Sequence, residues 1–343
     1  MTNPSKISMK KLAELCGVSI ATVSRVVNQT GQYTAETEQK ILEAIDKYDF
    51  TPNMVARSLK KNESKSIGII VPDITNDFYA KLVLHIETRL FSAGYSLFIC
   101  NTNRDFEKEK TYFKDLSSKG VDALICISGG EFELDKSVIG NFPIVCIDRR
   151  PLLDTSTAFI ESDNYQGGFT ATEELIGKGC KNILMIKSKR KYSSGKYRFD
   201  GYLAALKKHG IPFKDSMFLE IDESKFDYSN NTMPESAKRA IDNYIEKAMD
   251  VDGIFCANDW IAISTMYALK QKGIRIPEDV KIVGFDDILI SRYVSPSLTT
   301  IRQDCIQLGN EAAEAVLDLL SSRNKRKQIH IVVPIELIRR SSS

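Results

Sequence analysis

From residue 65 onward, short apolar runs alternate with amphipathic segments of helical period, and this alternation occurs twice along the chain. In the first series, strands are predicted at 67–71, 95–100, 123–127 and 144–147, and helices at 79–93 and 107–119. In the second, strands are predicted at 182–187, 253–256 and 281–285, and helices at 165–178, 197–209, 236–249 and 259–272. This rhythm is typical of parallel sheets covered by helices, so the sequence predicts two doubly wound α/β lobes.

The composition is that of an ordinary globular protein. The chain has 343 residues, enough for two or three compact units, with 43% hydrophobic and 27% charged residues. Residues 1–66 hold ten Lys and Arg against seven Asp and Glu, whereas the remaining residues hold 37 against 38. The basic excess therefore lies at the front of the chain, as expected for a segment that contacts a polyanion.

The sequence has no pattern typical of a membrane span, a disulfide framework or a metal site. No apolar run approaches the roughly 18 residues of a membrane span, and residues 1–6 lead into polar sequence rather than an apolar signal core. The seven cysteines are scattered without a C-x-x-C pair, and the three histidines lack metal spacing. The sequence predicts a cytoplasmic protein with reduced core cysteines, no metal and no cofactor.

Residues 8–28 predict two short helices joined by a tight bend. A helix at 9–16 ends at Gly17, which tolerates the left-handed backbone of a turn, and Ser19 is a suitable cap for a second helix at 20–28. Two helices joined in this way form the helix-turn-helix layout. A third helix at 34–48 completes an all-α unit, with four apolar residues at helical spacing: Ile41, Leu42, Ile45 and Tyr48.

The outward face of the second helix is rich in hydroxyl and amide groups and holds one arginine: Ser19, Thr22, Ser24, Arg25 and Asn28. These groups suit phosphate oxygens and guanine edges, whereas a merely solvated face more often carries Lys and Glu. The alternative is a small helical bundle that serves dimerisation or packing. The polar face favours DNA binding.

Two segments resemble the lactose/galactose repressor (LacI/GalR) family, whose sensor lobes resemble periplasmic sugar-binding proteins. Residues 17–28, GVSIATVSRVVN, resemble its recognition segment, and residues 50–59, FTPNMVARSL, resemble its hinge helix at the matching spacing. The resemblance implies a headpiece at 1–50, a hinge helix and linker at 51–65, and an effector-binding and dimerisation domain at 66–343. The first lobe is expected at about 66–162 and 291–322, and the second at about 163–290 and 323–343.

The resemblance also implies which residues contact DNA. Arg25, with Ile20 and Ala21, would read base edges in the major groove, and Leu59 of a paired hinge helix would wedge into the minor groove. The DNA-binding residues implied are Ser19, Ile20, Ala21, Thr22, Ser24, Arg25, Asn28, Asn53, Ala56 and Leu59. Because helices below about 12 residues are marginal alone, we expect the hinge to order on DNA.

Polar residues follow the predicted strands at their carboxyl ends, where parallel sheets bind ligands. They are Asp73, Asn76, Asp148, Arg149, Arg198, Asn258, Asp259, Asp286 and Asp287, with Phe78 and Tyr79 adjacent. Planar hydrogen-bonding groups beside aromatic faces suit a polyol. The alternative for any single Asp or Asn among them is a structural role, as a helix cap or a turn residue.

Several of these segments resemble effector-binding elements of the same family. Residues 76–79, NDFY, resemble its N-x-F-F/Y element, and residues 197–202 match the segment that holds an effector-binding arginine. The resemblance implies an effector site made of Asn76, Phe78, Tyr79, Asp148, Arg149, Arg198, Asn258, Asp286 and Gln303. The family often has an aromatic residue between about 222 and 230, and Phe226 and Tyr228 both stay open for that role.

A basic run precedes Arg198 and encloses Ser193, Ser194 and Gly195; its members are Lys187, Lys189, Arg190, Lys191 and Lys196. Such runs are usually solvated loops. The alternative is a site for a phosphorylated sugar, since Ser and Gly backbone donors beside cations suit an anion.

The predicted function is a DNA-binding repressor of carbohydrate-use genes, controlled allosterically by a sugar or sugar phosphate. We expect a homodimer on a pseudo-palindromic double-stranded operator, without a membrane partner. A corepressor-dependent regulator of the same family stays open. An α/β enzyme is disfavoured because the sequence lacks a P-loop, a dinucleotide-binding G-x-G-x-x-G and a G-x-S-x-G elbow. A periplasmic sugar-binding protein would have neither the headpiece nor this polar start.

Overall fold

The computed structural model describes residues 7–50, 63–127, 143–148, 157–190, 192–222, 235–247, 250–321 and 329–343. The chain forms two compact units, Met1–Ser64 and Lys65–Ser343, so the boundary lies where the linker is predicted to end. The predicted hinge-helix residues Asn53, Ala56 and Leu59 lie outside the described residues. None of the described helices combines the length and the apolar composition that crossing a membrane requires.

The described residues of the first unit form three helices, α1 (Met9–Cys16), α2 (Ile20–Val27) and α3 (Ala35–Lys47). Each begins after a hydroxyl residue whose side chain accepts a hydrogen bond from a first-turn N–H group: Ser8, Ser19 and Thr34. Gly17 ends α1 in the left-handed conformation, with a φ of 63°. These local signals explain why the predicted helices agree with the observed bounds to within a residue.

A small apolar core joins the three helices, made of Leu12, Ala13, Cys16, Val23, Val26, Ile41 and Phe50. Two residues predicted at core spacing on α3 lie elsewhere, because Leu42 is 48% exposed and Tyr48 is 39% exposed. Successive residues of a helix point about 100° apart, so burying Ile41 turns its neighbour Leu42 away from the core.

The first sheet of the second unit has six strands, β1 (Ser66–Val71), β2 (Ser96–Asn101), β3 (Ala123–Cys126), β4 (Ile144–Ile147), β5 (Thr157–Ser162) and β11 (Ile329–Val333). Their order is β11-β5-β4-β3-β1-β2, and all neighbours are parallel. Helices α4 (Asp77–Ser92) and α10 (Cys305–Ser321) pack on one face, and α5 (Phe106–Ser118) packs on the other. We call this layered body the first lobe.

The second sheet contains β6 (Ile183–Ser188), β7 (Phe218–Ile221), β8 (Gly253–Cys256), β9 (Lys281–Asp286), β10 (Thr299–Gln303) and β12 (Ile335–Ile338). Their order is β12-β10-β9-β8-β6-β7, with β12 antiparallel to β10 and the other pairs parallel. Helices α6 (Asn164–Gly177) and α7 (Ser193–Lys208) cover one face, and α8 (Glu235–Lys247) and α9 (Asp259–Gln271) cover the other. The prediction of two doubly wound lobes is confirmed.

Among the described residues, the chain passes between the lobes after Ser162, after Gln303 and at Pro334. Two predicted lobe boundaries are therefore wrong. The strand β10 belongs to the second sheet, where it pairs with β9, so this crossing follows the strand instead of preceding it. The apolar run 329–338 is divided because Pro334 has no amide hydrogen for a ladder, and its two halves join different sheets.

Helices α6 and α7 approach each other at two glycines. A Cβ on Gly168 would lie 2.0 Å from the carbonyl oxygen of Arg198, and one on Gly201 would lie 2.1 Å from that of Tyr165. No side chain fits at either position, so the two helix backbones are in direct contact. This contact fixes the backbone that carries Arg198.

All seven cysteines are free thiols, as predicted. Five are buried, and Cys100 and Cys305 are partly buried. Burial raises the pKa of the Cys180 thiol to about 11 and that of Cys305 to about 12. These thiols are therefore protonated core groups at neutral pH.

Candidate nucleic-acid interface and ligand cleft

Helix α2 buries one face in the core of the first unit and exposes the other to solvent. Val23 and Val26 are buried in the core of the first unit. On the opposite side Ile20 is 48% exposed, and Ala21 and Arg25 are also exposed. A short helix anchored in this way presents side chains of one face to a groove or a partner surface.

The polar groups of α2 are ordered by one another. The hydroxyls of Ser19 and Thr22 lie 2.9 Å apart, and the Ser19 Oγ also accepts the Thr22 N–H at 3.1 Å. At the other end, the Asn28 Nδ2 donates to the Ser24 carbonyl oxygen at 2.6 Å and to its Oγ at 3.2 Å. Because hydroxyls both donate and accept, these groups keep capacity for phosphate oxygens.

Arg25 lies across the loop that follows α2. Its Cδ is 3.2 Å from the place that a Cβ on Gly31 would occupy, and Gly31 has a left-handed φ of 77°. The absence of a side chain at Gly31 therefore makes room for the stem of Arg25. The arrangement directs an exposed guanidinium group away from the small core.

A cleft lies between the two lobes at the carboxyl ends of their strands. The first lobe contributes Asn76, Phe78, Tyr79, Arg104 and Asp148. The second contributes Lys187, Ser188, Arg190, Tyr192, Ser194, Gly195, Arg198, Ala257, Asn258, Asp286 and Gln303. Charged and amide groups thus dominate the lining, and each lobe also contributes aromatic rings.

Arg198 is the centre of the polar network in the cleft. Its Nε donates to the Asn164 Oδ1 at 2.8 Å, and its Nη1 donates to the Ala257 carbonyl oxygen at 2.6 Å. The guanidinium group also stacks on the ring of Phe285, 3.6 Å from its centroid. These contacts fix a buried cation in one orientation.

Each lobe places one carboxyl group beside Arg198. The Asp148 Oδ2 of the first lobe is 3.6 Å from Nη2, and the Asp286 Oδ1 of the second lobe is 3.9 Å from Nη1. The Asn164 Nδ2 also donates to the Asp148 Oδ1 at 2.7 Å. The same guanidinium group is therefore flanked by both lobes.

Asp286 has an unusual environment. Burial raises the pKa of its carboxyl group to about 8, against the opposing effect of Arg198, and the charge of Asp259 adds to the rise. Its Oδ1 accepts a hydrogen bond from the Gln303 Nε2 at 2.6 Å, and its backbone has a φ of 118°. The group is therefore mostly protonated at neutral pH and able to donate a hydrogen bond.

Gln303 connects the cleft to the segments that join the lobes. The Ser162 Oγ donates to the Gln303 Oε1 at 2.6 Å. Ser162 ends β5 and Gln303 ends β10, so this bond joins two of the three passages between lobes. A ligand that contacts Gln303 would therefore touch one of the segments that join the lobes.

The aromatic side of the cleft is formed at the start of α4. The Asn76 Oδ1 accepts the Phe78 N–H at 3.0 Å and so caps this helix. The rings of Phe78 and Tyr79 meet edge to face, with centroids 5.3 Å apart. The cap thus positions two rings against which an apolar ligand face can pack.

Family models match a part of each of the two units. Residues 8–53 match the family model "Bacterial regulatory proteins, lacI family", and residues 172–343 match "Periplasmic binding protein-like domain". The HTH-type transcriptional repressor PurR of Haemophilus influenzae (strain PittEE) is 34% identical over 340 residues, which cover 98% of each chain. The chain belongs to the LacI family.

Solved structures show the same architecture for LacI-family proteins. A periplasmic binding protein/LacI transcriptional regulator from Alkaliphilus metalliredigens QYMF, complexed with D-xylulofuranose, is 32% identical and aligns with a TM-score of 0.69 over 81% of this chain and 99% of its own. The Lac repressor dimer bound to operator and the anti-inducer ONPF is 24% identical, with a TM-score of 0.81 over 98% and 99%. The latter shares the fold across both units.

This LacI-family protein is a DNA-binding transcriptional repressor with a ligand-binding domain. The first unit is its helix-turn-helix domain, and the two lobes are its periplasmic-binding-protein-like domain. The repressors and sugar-complexed regulators among its relatives support allosteric control of DNA binding by a ligand.

Eight of the nine residues predicted to contact the effector line the cleft: Asn76, Phe78, Tyr79, Asp148, Arg198, Asn258, Asp286 and Gln303. Arg149 lies outside the described residues, as do Phe226 and Tyr228. On the first unit, the predicted DNA contacts from Ser19 to Asn28 all belong to α2 or to its two caps.

Three aspartates predicted at the cleft have structural partners instead. Asp73 accepts two hydrogen bonds from Thr75 in a turn. Asp259 accepts from Ser291, Thr300 and a backbone amide within the second lobe. Asp287 forms ion pairs with Arg302 and Arg340. These interactions correspond to the alternative in which an aspartate is a turn or cap residue.

Sequence reasoning missed part of the cleft lining. Arg104 lies in the loop after β2, another strand whose carboxyl end faces the cleft, so topology was the available signal. Tyr192 was not singled out, and Ser194 was considered only as part of a solvated loop or of a phosphate site, whereas α7 begins at Ser193, four residues before its predicted start. Loop-like composition in the first turn concealed the helix.

No group of three potential metal-binding side chains occurs in the part of the chain that the structure describes. His330, for example, pairs with Glu161 at 2.7 Å and stacks on Phe159. The contacts of His330 therefore stabilise the fold.

Proposed function

We propose that this LacI-family repressor senses a small polyhydroxylated ligand, a sugar or a close derivative, and controls carbohydrate-use genes in response. The observation that carries the proposal is Arg198, a buried guanidinium group flanked by Asp148 of one lobe and Asp286 of the other. Hydroxyl groups can donate to the Asp148 carboxylate and accept from the guanidinium group or from the protonated Asp286 carboxyl group, so vicinal hydroxyls match this arrangement. A LacI-family relative that binds D-xylulofuranose supports the ligand class.

The effector would couple to the lobes through the same network. Asp148 reaches Arg198 at 3.6 Å, beyond the distance of a good hydrogen bond, so hydroxyls can bridge the two groups. Binding would change the free energy of lobe closure because one partner belongs to each lobe. The change would alter the spacing of two DNA-binding units and therefore operator affinity.

We propose that the repressor acts as a homodimer on a pseudo-palindromic operator in the cytoplasm. Leu84 and Phe91 lie seven residues apart on α4 and are 58% and 71% exposed. Phe98 and Ile99 of the edge strand β2 are also exposed. Such an apolar face suits a second copy of the chain, and twofold symmetry matches two half-sites. The dimeric state of the Lac repressor supports this assembly.

In this role the protein binds its ligand without converting it. The relatives are repressors, and the cleft is proposed to bind its ligand unchanged. Incubation with bound sugars followed by mass spectrometry tests this statement, and conversion of any sugar at a rate above the protein-free control would contradict it.

The ligand class is tested by thermal melting of the full-length protein against a panel of sugars, sugar phosphates and aromatic heterocycles. A ligand bound only by the native state raises the melting temperature. We expect stabilisation by sugars that is lost in Arg198→Met, which keeps the stem but removes the donors. Stabilisation only by heterocycles would reject the sugar class.

Each hit is then added to operator-binding measurements by fluorescence anisotropy. Weaker operator binding identifies an inducer, and stronger binding identifies a corepressor, the alternative within this family. A ligand that stabilises the protein and leaves operator affinity unchanged would contradict allosteric control through the cleft.

A further inference from the structure

The wall of the cleft formed by β6, the start of α7 and the loop after β2 has an excess of positive charge. Arg104, Lys187 and Arg190 line this wall, and Arg198 lies behind it. Lys187 pairs with Glu220 at 2.5 Å, and Arg190 donates to the Arg104 carbonyl oxygen at 3.1 Å. A carbonyl oxygen accepts a hydrogen bond without neutralising the charge of Arg190.

Of the described residues that line the cleft, only Asp148 and Asp286 are acidic. Asp148 faces Arg198, and it also accepts the amide of Asn164. Asp286 contributes little negative charge near neutral pH, because burial raises its pKa to about 8. Among the described residues, Arg190 on the α7 side has no carboxylate partner, so an anion would be favoured there.

Helix α7 directs its first turn at the same wall. Ser194 and Gly195, the second and third residues of the helix, line the cleft. The side chain of the preceding Tyr192 does not cap the first turn, and its hydroxyl accepts a hydrogen bond from the Arg190 Nη1 at 3.0 Å. N–H groups at the start of a 16-residue helix carry partial positive charge and have no partner within the helix.

The Ser194 hydroxyl is a second, independent sign of a ligand. Ser194 is only 8% exposed and lines the cleft, yet no described residue gives its Oγ a hydrogen bond. A hydroxyl both donates and accepts, so this group keeps its hydrogen-bonding capacity for a ligand in the cleft. Gly195 leaves the adjoining space open, since a Cβ built there would meet no atom within 4 Å.

We propose that the effector carries an anionic group, a phosphate ester or a carboxylate, which binds at the first turn of α7 beside Arg190 and Ser194. This inference rests on the proposed sugar cleft and names the chemical class of its ligand. The sugar ring lies toward Arg198, and the anion accepts from the Ser194 hydroxyl and the helix N–H groups. The distant part of the basic run is not involved, since Lys196 pairs with Asp200 at 2.7 Å.

The test compares Gly195→Asp with its neutral isostere Gly195→Asn. Both side chains fit the open space, and both are acceptable in the first turn of a helix, so folding is preserved in each. Melting is recorded with 20 mM inorganic phosphate against chloride of equal ionic strength. We expect phosphate to raise the melting temperature of the wild type and Gly195→Asn by about 2 °C or more, and that of Gly195→Asp by less than half as much.

Calorimetry with matched ligands distinguishes the two anions. The ligands are D-ribose, D-ribose 5-phosphate and D-ribonate, and D-glucose, D-glucose 6-phosphate and D-gluconate. We expect at least one anionic ligand to bind tenfold or more tightly than its parent sugar, with the preference reduced at least tenfold in Gly195→Asp relative to Gly195→Asn. The preferred series identifies phosphate or carboxylate.

The outcomes separate this inference from the sugar proposal. Parent sugars that bind as tightly as their anionic partners would retain the sugar cleft and overturn the anion site. A phosphate shift that is absent in the wild type, or equal in both variants, would overturn the anion site as well. A charge-sensitive phosphate shift without binding of any sugar derivative would support the anion site and reject the sugar class.

Discussion

Arg25 combines an exposed guanidinium group with a stem held against Gly31. We expect Arg25→Ala to weaken operator binding by about 1–3 kcal/mol with little change on random DNA, as for a side chain that reads a base edge. Anisotropy titrations on both duplexes measure the difference. Arg25→Lys is the control, because lysine retains the charge and cannot form the bidentate pair. Equal weakening on both duplexes by Arg25→Ala would reassign the arginine to a phosphate.

The raised pKa of Asp286 should make the free energy of unfolding depend on pH. Its folded-state pKa of about 8 lies far above the ordinary value of 3.8, so the folded state binds a proton that the unfolded state has lost. Its contribution to the free energy of unfolding therefore decreases as pH rises from about 4 to 8, by up to about 1.4 kcal/mol per unit. We expect Asp286→Asn to remove this dependence in urea titrations between pH 5 and 8.5.

A residual slope should remain in that variant, because burial also raises the pKa of Asp259 to about 7. Asp215→Asn, at an exposed position, provides the matched control and should reproduce the wild-type pH profile. Parallel curves for wild type and Asp286→Asn would show that the carboxyl group is charged throughout.

At this scale, the sequence was most informative where a residue has one possible structural role. Gly17 ends a helix with a left-handed backbone, and sequence reasoning placed it there. Aspartates were harder, because the same side chain caps a helix, closes a turn or faces a ligand. Asp259 and Asp286 both follow strands, and their separate roles depend on partners distant in sequence, such as Thr300 and Arg198.

The contact between α6 and α7 links packing to the cleft. We expect Gly168→Ala to destabilise the protein by about 1–3 kcal/mol or more, since its Cβ would overlap the Arg198 carbonyl oxygen. The displaced backbone should also weaken ligand binding. Denaturant unfolding and calorimetry with the best ligand measure the two effects.

Gly177→Ala is the control on the same helix, because a Cβ there meets no atom within 4 Å. It should be neutral or stabilise the protein by up to about 1 kcal/mol through helix propensity. Similar losses of stability in Gly168→Ala and Gly177→Ala would indicate that the close approach is unimportant.

Elements with strong local signals were predictable, and elements defined by distant pairing were not. Strands β1, β4 and β8 are apolar runs, and their predicted bounds match the structure to within a residue. Strands β5 and β7 were missed because short sequences such as TAFIES and FLEI become strands only beside a neighbour. Pro334 divides one apolar run between two sheets, which no local period reveals.

The whole molecule should depend on the apolar face of α4 for assembly. We expect Phe91→Asp to shift the protein from dimer to monomer in sedimentation experiments, and to reduce operator affinity at least tenfold, because two linked half-sites become one. Val332→Asp is the control, an exposed apolar residue on β11 at the opposite edge of the same sheet. Dimers that persist in Phe91→Asp would place the interface elsewhere.

The three passages between the lobes make each lobe a mosaic of separate chain segments, whereas the helix-turn-helix unit is one continuous stretch. A genetic exchange with a single breakpoint can therefore transplant the reader of DNA intact onto another sensor. The same event inside the sensor would mix strands from two parents in both sheets. Such a gene can therefore change its operator specificity in one exchange. A change of effector specificity requires successive substitutions of side chains in the cleft.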